Sequence, residues 1–116
     1  MVSDQRIPVG AHYGWRDWLV QRVTAVIMAA YTVLVLFLLL WFGGLDRAAW
    51  QATFANELFR IASFVFMLAL LWHAWIGVRN ISMDYVKPTA LRIPVLAVLA
   101  TVLVAYIGWT LRVLWP

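Results

Sequence analysis

Three long apolar stretches, separated by short polar clusters, dominate the chain. The first runs from Val23 to Phe42, with Arg22 at its start and Gly43-Gly44 at its end. Glycines stop a helix cheaply there, because they reach the left-handed conformation without a Cβ clash. The second runs from about Ile61 to Val78 and is bracketed by Arg60 and Arg79. The third runs from Ile93 to about Leu114. Pro94 lies near its start, where a first helical turn tolerates the missing N–H. A helix crosses the hydrocarbon of a bilayer with roughly 20 residues at about 1.5 Å each, and all three stretches are long enough. The pattern predicts an all-α membrane protein. It forms one membrane domain over 1–116, with three transmembrane helices over about 20–42, 60–79 and 93–114.

The connections carry their own signals. Ala11-His12-Tyr13-Gly14-Trp15-Arg16-Asp17-Trp18 mixes aromatic and charged residues, as suits the headgroup level. Asp46 is a good N-cap for the stretch 47–59, which alternates charge and apolar groups and reads as a short amphipathic, surface-lying segment. Lys87-Pro88 should interrupt any helix between the second and third spans, since the residue before proline avoids the helical region.

Composition strengthens this picture. The chain has 116 residues, 66% hydrophobic and 12% charged, with mean hydropathy +0.87. Soluble domains run near 45–50% apolar and about 25% charged. Three spans consume about 60 residues, so no second, soluble catalytic domain fits. This excludes a secreted hydrolase, a nucleotide-binding fold and a DNA reader. The absence of cysteine excludes disulfides, thiolate catalysis and cysteine-ligated clusters. The opening residues lack a basic n-region, and no small-residue cleavage site follows the first apolar run, so that run is expected to be a retained span.

The net charge of +4 does not make a nucleic-acid footprint, because the nine basic residues are spread singly along the chain. No nucleic-acid partner is expected. They act better as topology determinants. Arg6, Arg16, Arg22, Arg79, Lys87 and Arg92 fall on one side of the membrane, and Arg47, Arg60 and Arg112 on the other. The bias predicts a cytoplasmic N-terminus and an outer, periplasmic C-terminus.

Three positions stand out as candidate chemistry. His73 lies well inside the second span, in Leu70-Leu71-Trp72-His73-Ala74-Trp75-Ile76-Gly77. An ionisable group at that depth faces protein or a cofactor. Its helix face reads Ala62, Phe66, Ala69, His73, Gly77, Asn80, with small residues that admit another backbone or a flat macrocycle. An interhelical hydrogen bond, a haem ligand and a proton relay are all open to it. His12 lies too far out to complete a haem site, and Met67 points elsewhere on the same helix, so a second ligand would have to come from another chain. Arg22, at the mouth of the first span, either snorkels to the headgroups or clamps an anionic group. Tyr85 is either an aromatic-belt anchor or a phenolic donor to a quinone carbonyl, with Asp84 orienting it or relaying protons. Trp72 and Trp75 either wall a cofactor pocket or simply pack.

The run His73-Ala74-Trp75-Ile76-Gly77, followed by Asp84-Tyr85-Val86-Lys87-Pro88, resembles the hydrophobic membrane-anchor subunit (the D-type anchor) of bacterial succinate dehydrogenase, respiratory complex II. Val20-Gln21-Arg22-Val23-Thr24-Ala25, the chain length and the three-span plan are similar to the same subunit. The resemblance implies a helical bundle formed with a second membrane-anchor (cytochrome b) subunit. That bundle would hold a flavoprotein subunit and an iron–sulfur subunit on the cytoplasmic face of the bacterial inner membrane. It implies that His73 is an axial iron ligand of a haem b shared with the partner anchor, and that Arg22 approaches a haem propionate. It implies that Tyr85 donates to ubiquinone, the substrate, with Asp84 in support. This chain would then serve succinate:quinone oxidoreductase without catalysing alone. Two other readings compete: a small membrane transporter, and a passive anchor without cofactor contact. The transporter reading is weakened because Asp4, Asp17, Asp46, Glu57 and Asp84 all lie outside the expected spans.

Overall fold

A computed structural model describes residues 14–116 as helices joined by short links. His12, Arg6 and the first part of the expected headgroup segment lie outside the described residues. Helix α1 spans Gly14–Trp41, α2 Arg47–Ala55, α3 Glu57–Tyr85 and α4 Thr89–Leu114. Three of these, α1, α3 and α4, are long and apolar enough to cross a membrane.

Local chemistry sets the helix ends. Helix α1 carries Asp17 in its first turn, where a carboxylate suits the positive end of the helix dipole. It stops at Gly43 and Gly44, with φ of 67° and 101°. The Gly44 N–H bonds to the Leu39 carbonyl at 2.8 Å and the Gly43 N–H to Leu40 at 3.4 Å, which is a Schellman closure. Asp46 caps α2 as expected, accepting from the Ala49 N–H at 2.8 Å. Asn56 ends α2 and starts α3, its side chain accepting from the Phe59 N–H at 3.2 Å. Residues 86–88 break the chain before α4, at the place Lys87-Pro88 predicts.

The helices overrun the apolar spans. Helix α1 starts at Gly14 and α3 runs on through Asp84 and Tyr85. Hydropathy marks the hydrocarbon, whereas backbone hydrogen bonding continues into the headgroup layer. One expectation is corrected: Pro94 is not in a first turn. Helix α4 begins at Thr89, so Pro94 lies inside it and the Ala90 carbonyl loses its i→i+4 donor.

Helix α3 is central, packed between α1 and α4 and against α2, and antiparallel to both long neighbours. Burial follows that placement. Phe59, Ser63, Ala69, Leu71, Ile76 and Ser82 are buried on α3, but only Thr24 on α1. Most remaining large apolar side chains are exposed, as lipid-facing or partner-facing surfaces must be. Three of the buried hydroxyls are satisfied within their own helices. Thr24, Ser63 and Thr110 donate to the carbonyls of Val20, Phe59 and Tyr106 at 2.6, 2.8 and 2.7 Å. Such small polar residues let membrane helices approach closely.

At the far end of α3, Arg60 ties the α2–α3 elbow. Its Nε donates to the Phe54 carbonyl at 2.6 Å and it pairs with Glu57 at 3.3 Å. Trp115 reaches the same carboxylate, its indole N–H donating to Glu57 at 3.1 Å.

Candidate functional site

Three polar contacts stitch α1 to α3. Arg79 pairs with Asp17, Thr24 meets His73, and Tyr31 meets Ser63. Asp17, Thr24 and Tyr31 are seven residues apart, which is two helical turns and therefore one face. That face packs onto the stripe of α3 that holds Phe66, Ala69 and His73. Tyr31 stacks on Phe66 at 4.5 Å between ring centroids. The small residue Ala69, 5% exposed, lies between Phe66 and His73 on that stripe. The backbone admitted there is therefore α1 of the same chain.

His73 is half-buried, and its Nδ1 is 3.0 Å from Thr24 Oγ1. This is its one hydrogen bond among the described residues, which leaves Nε2 without a protein partner. The histidine opens on a groove of about 580 Å³ between α1 and α3, lined by Asp17, Gln21, Arg22, His73, Ile76 and Asn80 among others. Two of the predicted residues, His73 and Arg22, thus share one groove. The Arg22 guanidinium lies 5.5 Å from the centre of the Trp18 ring, a cation–π contact one turn back along α1. Gln21 contributes a buried side-chain oxygen with no hydrogen-bond partner among the described residues. A buried unpaired acceptor is costly, and its position in the groove marks a place for a donor from outside the described residues.

Tyr85 and Asp84 stand apart from that groove. They are the last two residues of α3, and Tyr85 is 81% exposed. Tyr85 is twelve residues from His73, about 18 Å of helix rise. Because α3 is continuous, Asp84 does lie on the His73 stripe, through Gly77 and Asn80. A Cβ added at Gly77 would meet nothing within 4 Å, so this stretch of the stripe is open for another molecule.

Trp72 and Trp75 do not face the His73 groove. With Leu68 and Leu71 they line a separate apolar groove of about 440 Å³ against Ala100, Leu103, Val104 and Ile107 of α4. Met67 lines a third cavity with Tyr31, Ser63 and Trp109, away from His73. Among the described residues no cluster of His, Cys, Asp and Glu could hold a bare metal ion. Sequence reasoning assigned no role to Asp17, Gln21, Thr24 or Tyr31. The seven-residue spacing of three of them was the available signal.

Three helices long and apolar enough to cross a membrane, with His73 and Arg22 lining one groove between α1 and α3, define a small all-helical membrane protein. The chain belongs to the succinate dehydrogenase/fumarate reductase transmembrane subunit family, whose model matches residues 2–109. It is also similar to the succinate dehydrogenase hydrophobic membrane anchor subunit of Coxiella burnetii (strain RSA 493 / Nine Mile phase I). The two are 36% identical over 102 residues, covering 88% of this chain and 89% of that protein. The protein is a membrane anchor subunit of succinate dehydrogenase/fumarate reductase type. This family membership takes the place of the transporter reading.

Proposed function

We propose that this chain helps to bind haem b and ubiquinone, so that electrons from succinate reach the quinone. The observation that carries the reading is His73, inside a long apolar helix, with Nδ1 engaged by Thr24 and the residue lining a groove beside Arg22. The residues present fit a haem. His73 offers a ring nitrogen as a ligand, and Arg22, which lines the same groove, supplies a cation for a propionate. When bound, haem would supply a one-electron carrier inside the membrane. Among the described residues His73 is the one histidine lining the groove, so a second nitrogen ligand and the opposite wall would come from a second anchor subunit.

Tyr85 and Asp84 form the quinone end. Reducing ubiquinone to ubiquinol takes two electrons and two protons, and the protons must come from water. An exposed phenol at the end of α3 meets that requirement. Its O–H donates to a quinone carbonyl, and Asp84 beside it orients the phenol or passes a proton. Flavin and iron–sulfur clusters belong to a flavoprotein and an iron–sulfur subunit, since this chain has no cysteine.

The antiparallel packing brings Arg16, Arg22, Arg79, Lys87 and Arg92 to one end of the bundle. That end is cytoplasmic by the positive-inside rule, in a bacterial inner membrane, and carries the soluble subunits. The C-terminus is periplasmic. The experiment is to purify the assembled complex through a tag on this chain and record its reduced-minus-oxidised visible spectrum. Co-purifying subunits with b-type bands are expected. A complex without haem would leave the passive-anchor reading.

A further inference from the structure

We infer that Thr24 is a positioning residue for His73, fixing the imidazole as the tautomer with its proton on Nδ1 and presenting Nε2 as the ligating nitrogen; this rests on the reading of His73 as a haem ligand. The Thr24 hydroxyl has one proton and three neighbours. Two are backbone carbonyls, Val20 at 2.6 Å and Gln21 at 3.3 Å, and these can only accept. The third is His73 Nδ1 at 3.0 Å. The shortest contact takes the proton, a back-bond to the i−4 carbonyl that threonine makes readily in membrane helices. Towards His73 the oxygen then accepts, so the shared proton lies on Nδ1. A neutral imidazole carries one N–H, which leaves the lone pair on Nε2.

The hydroxyl is held in place for this task. Thr24 is 5% exposed, and its β-branch restricts χ1 within the helix. Seven residues before it Asp17 pairs with Arg79, and seven residues after it Tyr31 meets Ser63, so α1 is pinned to α3 on both sides of the contact. Donation from Nδ1–H makes the other ring nitrogen a stronger donor to iron, and favours the more highly charged ferric state.

The test uses the full complex with Thr24→Val, which exchanges the hydroxyl for a methyl at similar volume, and Thr24→Ser, which keeps the hydroxyl. Haem retention is read from haem transfer to an apo-globin acceptor, and the midpoint potential from a redox titration. The valine variant should lose haem affinity by about 10–100-fold, the usual range for an outer-shell partner. Its potential should rise, by about 59 mV for each tenfold loss of preference for the oxidised state. The serine variant should stay near wild type in both. Thr24→Ala serves if the valine variant does not assemble. Wild-type retention and potential in the hydroxyl-free variants would overturn the inference alone. So would an equal loss in the serine variant, which would make the effect one of packing. A wild-type complex without haem would instead remove the reading of His73, and the inference with it.

Discussion

Asp17 of α1 and Arg79 of α3 form an ion pair that closes the polar end of the helix seam leading to His73. Each side chain is about a third exposed, at 38% and 32%, so the pair sits at the boundary between water and bundle. Asp17→Asn and Arg79→Gln should each lower the thermal midpoint of the complex. The double variant should lose less than the sum, with a coupling of about 0.5–1 kcal/mol, as for partly solvated pairs. Strict additivity in the cycle would show that the pair contributes nothing.

The other end of the seam makes a different demand. Tyr31 shares a hydrogen bond of 2.6 Å with Ser63 and stacks on Phe66. Tyr31→Phe removes the first contact and keeps the second, so it should cost only about 0.6 kcal/mol. Tyr31→Ala removes both and leaves a cavity, at about 3 kcal/mol. Comparable losses in the two variants, measured as detergent-solubilised thermal stability, would contradict the stacked packing.

Gly43 offers a purely conformational test. Its φ is 67°, and a Cβ there would meet nothing within 4 Å. Gly43→Ala should therefore cost about 1 kcal/mol through backbone strain alone. A neutral or stabilising result in the same thermal assay would mean that α1 does not end in this turn.

Tyr85→Phe separates the proposed quinone end from the proposed haem end. Loss of one hydrogen bond to the substrate, at about 1.4 kcal/mol, should lower kcat/KM for ubiquinone roughly tenfold. The haem spectrum should not change, because about 18 Å of helix separates Tyr85 from His73. Unaltered quinone kinetics would remove Tyr85 from its role.

What the sequence made legible follows from the solvent. Lipid forces every backbone group to be satisfied within a helix, so three apolar runs could only be three spans. The turn at Gly43-Gly44, the cap at Asp46 and the break at Lys87-Pro88 are local chemistry and equally visible. The start of α1 and the run of α3 beyond Arg79 were not, because charge at Asp17 and Arg79 reads as the edge of a span until each is known to neutralise the other, 62 residues away. Pro94 misled for a related reason: proline most often opens a helix, yet here α4 begins at Thr89. Within the site, the depth of His73 and the register of Asp84 were readable from spacing. Its partner Thr24 was not, since a threonine in an apolar helix carries no signal until the facing helix is placed. Trp72 and Trp75 show the converse, being adjacent to His73 in sequence yet turned to α4.

The central claim is that His73 Nε2 binds haem iron, and the most direct measurement is low-temperature EPR of the oxidised complex with and without His73→Ala. The wild-type complex should show a low-spin signal of bis-histidine type. In the variant that signal should be lost or moved to different g-values, with weakened or shifted b-type bands in the visible spectrum. An identical EPR signal and identical bands in the variant would show that the iron is held by other residues and that His73 serves only its contact with Thr24.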